Sequence, residues 1–182
     1  LNSSSDRLLN TVTNFLDISL LTSGNQKIYK KNVALENLLD EVCSRFTESC
    51  EEKQLTLLLQ KPESAPTDSI YTDRDLLGKI LHQLIDNAVK FTTKGSITVG
   101  YKKLNGFILF HIQDTGMGIS EENRKLIFSN FTQGDTTDTR VYEGTGLGLS
   151  IAKGLTELLG GMMCLESEKD KGSTFYFSVP SA

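Results

Sequence analysis

HQLIDNAVKFTTKG, His82 to Gly95, runs from a helix pattern into a turn. Leu81, Leu84, Ile85, Ala88 and Val89 recur at three- and four-residue steps, the spacing of one buried helical face. Asn87 sits beside that stripe and Lys90 follows almost one turn later. An amide and an ammonium at the edge of an apolar face need something to hold. The pattern extends back to Thr72 or Asp73, either of which can cap the helix, and forward to Phe91.

Working outward, ITVGYKKL and FILFHIQD read as strands joined by Asn105-Gly106, a pair favoured in tight hairpin turns. Ser120 with Glu121 and Glu122 starts another helix, whose acidic first turn suits the helix dipole. Residues 132–146, TQGDTTDTRVYEGTG, form a long polar loop. SIAKGLTELLGG is a helix closed by two glycines, and MMCLESE with STFYFSVP makes a terminal strand pair.

In the other direction, residues 4–22 carry Leu8, Leu9, Val12, Phe15 and Leu16 as a helical stripe with no partner inside the segment. SGN stops that helix, and QKIYKKNV is a short strand. Residues 35–53 form a second amphipathic helix with Cys43 and Cys50 on one face. QLTLLLQ is a strand and KPESAPTDS a loop. Strands and helices mix without regular βαβ alternation. The expected fold class is α+β, a helical layer on a mixed, mostly antiparallel sheet, preceded by an N-terminal helix.

The chain has 182 residues, of which 38% are hydrophobic and 23% charged, enough for one well-filled core. A net charge of -4 and a pI near 5.2, with no basic stripe, argue against a nucleic-acid partner. No apolar run reaches membrane-spanning length and no signal peptide stands at the start. The three cysteines, Cys43, Cys50 and Cys164, cannot all pair and lack metal spacing; they read as buried thiols of a reducing compartment.

Three glycine-bearing loops carry the chemistry: DTGMGI at 114–119, EGTGLGLS at 143–150 and DKGSTF at 170–175. The second precedes a helix, so its glycines can let backbone N–H groups approach phosphate oxygens at a helix N-terminus. It follows no strand, lacks a GK[ST] ending and is not spaced as G-x-G-x-x-G, which excludes the P-loop and dinucleotide readings. Asp114 ends a strand before a glycine turn. Such a carboxylate either caps the turn or accepts a hydrogen bond from an exocyclic amine, as adenine offers.

Asn87 with Lys90, then DTGMGI, FSNFTQ, GTGLGLS and GSTF stand in this order and at these separations. The series resembles the N, G1, F, G2 and G3 boxes of the ATP-binding domain of sensor histidine kinases. The likeness covers roughly residues 30–180, and the first 22 residues resemble the second helix of that family's dimerisation hairpin. The resemblance implies residues 1–25 as part of that hairpin and residues 26–182 as a Bergerat-type two-layer catalytic domain holding ATP and Mg²⁺ under a lid. Asn87 matches the Mg²⁺ ligand, Lys90 a phosphate contact, Phe91 an aromatic wall and Asp114 the adenine-reading carboxylate. Gly116 and Gly118 would keep that turn open and Ile119 would line the base pocket. Gly144, Thr145, Gly146 and Gly148 would supply the lid backbone, with Leu147 closing on the purine. Thr174 matches a residue reaching adenine through water. Arg140 matches a basic lid residue for the terminal phosphates, or is a solvated loop charge.

The departures matter as well. Gln83 stands where the family commonly has asparagine; Glu143 and Asp170 replace glycines. Ala34 stands where a capping aspartate is common, leaving Asn32 as the substitute cap. Related gyrase, mismatch-repair and chaperone ATPases carry a glutamate at the position of Gln83, and a glutamine cannot act as general base for hydrolysis. His82 and His111, the chain's two histidines, both read as structural. The implied activity is therefore donation of the γ-phosphate to a histidine on a dimerisation helix outside this chain, for relay to a response-regulator receiver domain. The alternative is a regulatory module without kinase activity. The resemblance further implies a homodimeric parent protein and a domain facing the cytoplasm, whether or not the parent is anchored in a membrane.

Overall fold

The computed structural model describes residues 3–61, 69–124, 127 and 146–181. It is an α+β sandwich built from a five-stranded sheet, a layer of helices on one face, a two-stranded sheet at the side and a long N-terminal helix. The elements run α1 (Ser3–Thr22), β1 (Lys31–Ala34), α2 (Leu35–Ser44), α3 (Thr47–Glu52), β2 (Leu55–Gln60), β3 (Ser69–Thr72) and α4 (Arg74–Phe91). They continue with β4 (Gly95–Leu104), β5 (Phe107–Asp114), α5 (Glu121–Arg124), α6 (Gly148–Leu158), β6 (Met163–Glu168) and β7 (Gly172–Pro180). The large sheet has the order β2-β4-β5-β7-β6. Only β2–β4 is parallel there; the other three pairs are antiparallel.

Period-two alternation decides which face of the sheet is covered. On β5, Ile108, Phe110, Ile112 and Asp114 point inward, and on β7 Ser173, Phe175, Phe177 and Val179 do so beside them. Phe110 and Phe177 stack, with ring centroids 4.7 Å apart. Leu77, Ile80, Leu81, Leu84 and Ile85 of α4 are fully buried, as the helical spacing requires. Ile151, Ala152 and Leu155 of α6 complete the helical side of the core.

The cap of α4 does two jobs. Asp73 Oδ1 accepts from the backbone N–H of Asp75 and Leu76 at 3.0 and 3.1 Å. Its Oδ2 accepts from the N–H of Tyr29 at 2.6 Å, tying the approach to β1 to the start of α4.

Three local expectations need correction. The helix expected over 35–53 is two helices, broken at Arg45 and Phe46. The break turns Phe46 into the core, against His82 with ring centroids 5.0 Å apart. Cys43 and Cys50 therefore belong to different helices, although both are buried. Asn32 does not cap α2; it pairs with Tyr71 in the small sheet, and the N-cap residue Ala34 offers no side-chain bond. Ser69, expected at the end of a loop, and Thr72, expected as a possible helix cap, belong to strand β3, which pairs with Lys31–Ala34, and β1 is shorter than the strand expected over QKIYKKNV.

The N-terminal helix has two unlike sides. Leu8, Leu9, Val12, Phe15 and Leu16 are exposed, as a stripe lacking a partner within the segment requires. The other side docks on the catalytic layer. Asp17, 6% exposed, accepts an ion-paired hydrogen bond from Lys79 of α4 at 2.6 Å, and Leu21 packs against Gly154 of α6. Among the described residues no helix is long and apolar enough to cross a membrane.

Candidate nucleotide site

The site lies where the last turns of α4, the end of β5 and the start of α6 converge. Asp114 ends β5 on its inward face and is 6% exposed. Burial pushes its carboxyl above the usual aspartate range, while the N–H groups of Gly116 and Ser173 pull it back down. The Gly116 N–H reaches Asp114 Oδ1 at 2.8 Å, so the carboxylate does cap the turn. A carboxylate offers several acceptor positions, and this one is held in place by backbone donors.

The turn after Asp114 is locked from three sides. The N–H of Met117 donates to the carbonyl of Phe91 at the end of α4, at 3.3 Å. The carbonyl of Met117 accepts from Asp170 in the β6–β7 hairpin at 2.7 Å. The Ile119 N–H donates to Ser167 Oγ at 2.8 Å, and Ser167 Oγ donates onward to the Gly172 carbonyl at 3.0 Å. Glycine is required here by space. A Cβ on Gly116 would lie 2.3 Å from the Phe91 carbonyl oxygen, and one on Gly118 2.0 Å from that of Glu168. Gly118 also has a φ of +63°. Asp170, which takes a glycine's place in the third loop, keeps the glycine conformation with a φ of +65°. Aspartate is among the few residues that tolerate it.

On α4, Asn87 is half-buried and makes no side-chain hydrogen bond among the described residues. Lys90, also half-buried, is ion-paired with Asp86 one turn earlier. Phe91 lends its carbonyl to the turn. Gln83, four residues before Asn87 on the same helical face, donates from Nε2 to Asn14 Oδ1 of α1 at 3.0 Å. Its Oε1 lies 2.7 Å from where a Cβ on Gly148 would stand.

Gly148 opens α6. Gly146 before it has a φ of +68°, and Leu147 is buried in the core with its carbonyl accepting from Ser150 Oγ and the Ile151 N–H. The first N–H groups of α6 thus lie next to the turn of α4 that bears Gln83. Arg140, Gly144 and Thr145, together with the FSNFTQ stretch and Glu143, lie outside the described residues.

The fold brings Phe91, Asp114 and Gly116 together at one turn, with Gly118 and Ile119 following in it, and sets Gly148 beside Gln83, one helical turn before Asn87. It does not bring Thr174 to the Asp114 carboxylate. Ser173 is the register partner of Asp114 and shares its inward face, whereas Thr174 pairs with Gln113 and points to the other face. Ser173 Oγ also contacts Ser167 Oγ at 3.0 Å. The signal was present in GSTF: strand alternation from the inward Phe175 selects Ser173. A groove of about 390 Å³ runs past Asp114, Ser167, Gly172 and Ser173, with Arg124 on its wall, and Gln113 and Thr174 also line it.

The two histidines sit apart from any acceptor role in the described structure. His82 is packed on Phe46 within α4, and burial lowers its pKa; His111 lies in β5 with Gln60 at 3.3 Å and is likewise lowered by burial. Burial pushes the Cys43 thiol up to about 11, which keeps it protonated and unreactive.

Residues 72–182 match the family model for histidine kinase-, DNA gyrase B- and HSP90-like ATPases. The chain belongs to this ATPase family. The chain resembles relatives and solved structures that are named as sensor kinases or histidine kinases. It is 36% identical to the autoinducer 2 sensor kinase/phosphatase LuxQ of Vibrio vulnificus over 97% of this chain and 21% of that protein. It is 32% identical to hybrid signal transduction histidine kinase B of Dictyostelium discoideum over 97% of this chain and 9% of that protein. The chain thus spans a quarter or less of the length of these relatives. Among solved structures, full-length ShkA in complex with AMPPNP superposes with a TM-score of 0.87 at 30% identity, covering 98% of this chain and 37% of that one. The catalytic domain of histidine kinase ThkA superposes at 0.73 with 26% identity, covering 84% of this chain and 96% of that one.

Proposed function

We propose that residues 26–182 bind Mg-ATP and present its γ-phosphate to a histidine on a dimerisation helix, and that residues 1–25 are part of the hairpin carrying that helix. The observation that supports this most is the Asp114 turn. A buried carboxylate is fixed by a backbone donor at the end of a strand, on the wall of a groove. In this reading Asp114 accepts from the exocyclic amine of adenine, with Ser173 beside it taking the part expected of Thr174. Gly116, Gly118 and Ile119 shape the base pocket with Leu147, and Phe91 walls it. Lys90 exchanges Asp86 for phosphate oxygens. Gly144, Thr145, Gly146 and Gly148 offer backbone N–H groups to the phosphates, and Arg140 offers a guanidinium.

The residues present suit Mg²⁺. A hard cation bound with polyphosphate keeps several waters and needs only one or two protein oxygens, which Asn87 can supply. Among the described residues no cluster of three or more His, Cys, Asp or Glu competes for it. The cation would neutralise phosphate charge; the chain's own contribution is positioning. ATP hydrolysis by this site is disfavoured, because Gln83 carries no carboxylate and its amide is engaged by Asn14. The acceptor partner is a histidine-bearing helix of the same or a second subunit in a homodimer, and the downstream partner is a response-regulator receiver domain. The domain works on the cytoplasmic side, where ATP is.

Thermal melting with and without Mg-ATP tests the reading. Ligand at about 100 times Kd adds roughly 2.7 kcal/mol, worth about 5–10 °C in a domain of this size. A shift without phosphate release supports a kinase nucleotide domain. No shift at millimolar Mg-ATP supports instead a regulatory module without kinase activity, a reading favoured by the diversion of Gln83 to Asn14.

A further inference from the structure

Gln83 is a departure from the family pattern whose side chain meets a second helix. It stands between three elements: its own helix α4, Asn14 of α1 and the first residue of α6. Asn14, Asp17, Ile18 and Leu21 fall on one side of α1 at helical spacing, and that side is the docked one. Lys79 and Gln83 are one turn apart on α4 and meet Asp17 and Asn14 respectively. Gly148 has no side chain, and the space a Cβ would take is filled by Gln83 Oε1 at 2.7 Å.

We propose that Gln83 is a positioning residue that transmits the docking of α1 to the nucleotide site. Asn14 holds the amide of Gln83 against the first turn of α6, and thereby holds Gly148 and its neighbouring N–H groups where a phosphate would meet them. Docking of α1 and binding of Mg-nucleotide are then mutually favourable, because each orders what the other needs ordered. Linkage makes the effect reciprocal: nucleotide tightens α1 on the domain by the same factor. This rests on the nucleotide reading above, but its structural half does not.

The test is a double-mutant cycle with Asn14→Ala, Gln83→Ala and the double variant, read in two ways. In the nucleotide-free protein, Asn14→Ala should raise amide hydrogen exchange in residues 146–150, and Asn14→Asp, which keeps an acceptor oxygen, should restore protection. With Mg-ATP, Asn14→Ala should weaken binding roughly two- to tenfold, the range of one side-chain hydrogen bond. The same substitution should have no effect on either reading in the Gln83→Ala background. Lys79→Ala, which loosens the docking from the α4 side, should change both readings in the same direction and serves if Asn14→Ala does not fold. An Asn14→Ala effect that is absent, or equal in both backgrounds, overturns the proposal. Loss of protection in a protein that binds no Mg-ATP would keep the link from Asn14 to α6, remove its effect on nucleotide, and overturn the nucleotide reading.

Discussion

The two ends of the site are built differently. At the Asp114 end, backbone meets backbone: Met117 bonds Phe91 on one side and Asp170 on the other, and glycines stand where no Cβ fits. At the α4–α6 end, side chains meet side chains: Lys90 leans on Asp86 and Gln83 on Asn14. Backbone contacts of the first kind leave no rotamers to exchange, so they suit recognition of an invariant base. Side-chain pairs of the second kind are exchangeable at little cost, so they suit phosphates and a cation that come and go.

Breaking the rigid end should have the largest effect. Gly118→Ala adds a left-handed residue with a side chain aimed at the Glu168 carbonyl, so the turn must move. A loss of about 3 kcal/mol or more in unfolding free energy is expected, from strain and clash together. Denaturant unfolding measures it; a change within experimental error would show that the turn yields easily.

Asp114→Asn should separate recognition from stability. Nucleotide affinity should fall by roughly two orders of magnitude as a charged hydrogen-bond partner is lost. Stability without nucleotide should hold or rise. The pKa of Asp114 is raised in the folded state, so its buried charge costs stability above that pKa and the cost disappears as pH falls through it. The same titration should weaken nucleotide binding on acidification, starting at a higher pH than for an ordinary aspartate. Calorimetric titration across pH checks both, with the Asp114→Asn protein lacking the acid step.

Asn87→Ala should weaken Mg-ATP binding by about tenfold, near 1.4 kcal/mol, while leaving binding of metal-free nucleotide less affected. Lys90→Ala should have the smallest effect, about 0.5–1 kcal/mol on affinity and fading at high salt, because the ammonium is partly solvated and already has Asp86 as a partner.

The same contrast explains what could be read in the sequence. Residues with a period were legible: α4 from Leu81 to Val89, the β4–β5 hairpin from Asn105-Gly106, and Asp114 from its place at a strand end. Residues whose role depends on a distant partner were not. Nothing local couples Gln83 to Asn14, or places Asp170 under Met117. Strand β3 and its pairing with β1 were missed because four-residue strands carry almost no alternation, and Phe46 broke a helix whose pattern ran on unbroken. The pleat of β7 puts Ser173, not Thr174, on the face of Asp114 once Phe175 is known to face inward.

The measurement that tests the central claim most directly is calorimetric binding of Mg-ATP to the unaltered protein beside Asp114→Asn and Asn87→Ala, with released phosphate assayed in the same samples. The account predicts saturable one-to-one binding, weakened roughly a hundredfold in the first variant, about tenfold in the second, and accompanied by no phosphate release. Equal affinity in all three proteins, or steady phosphate release by the unaltered one, would contradict it.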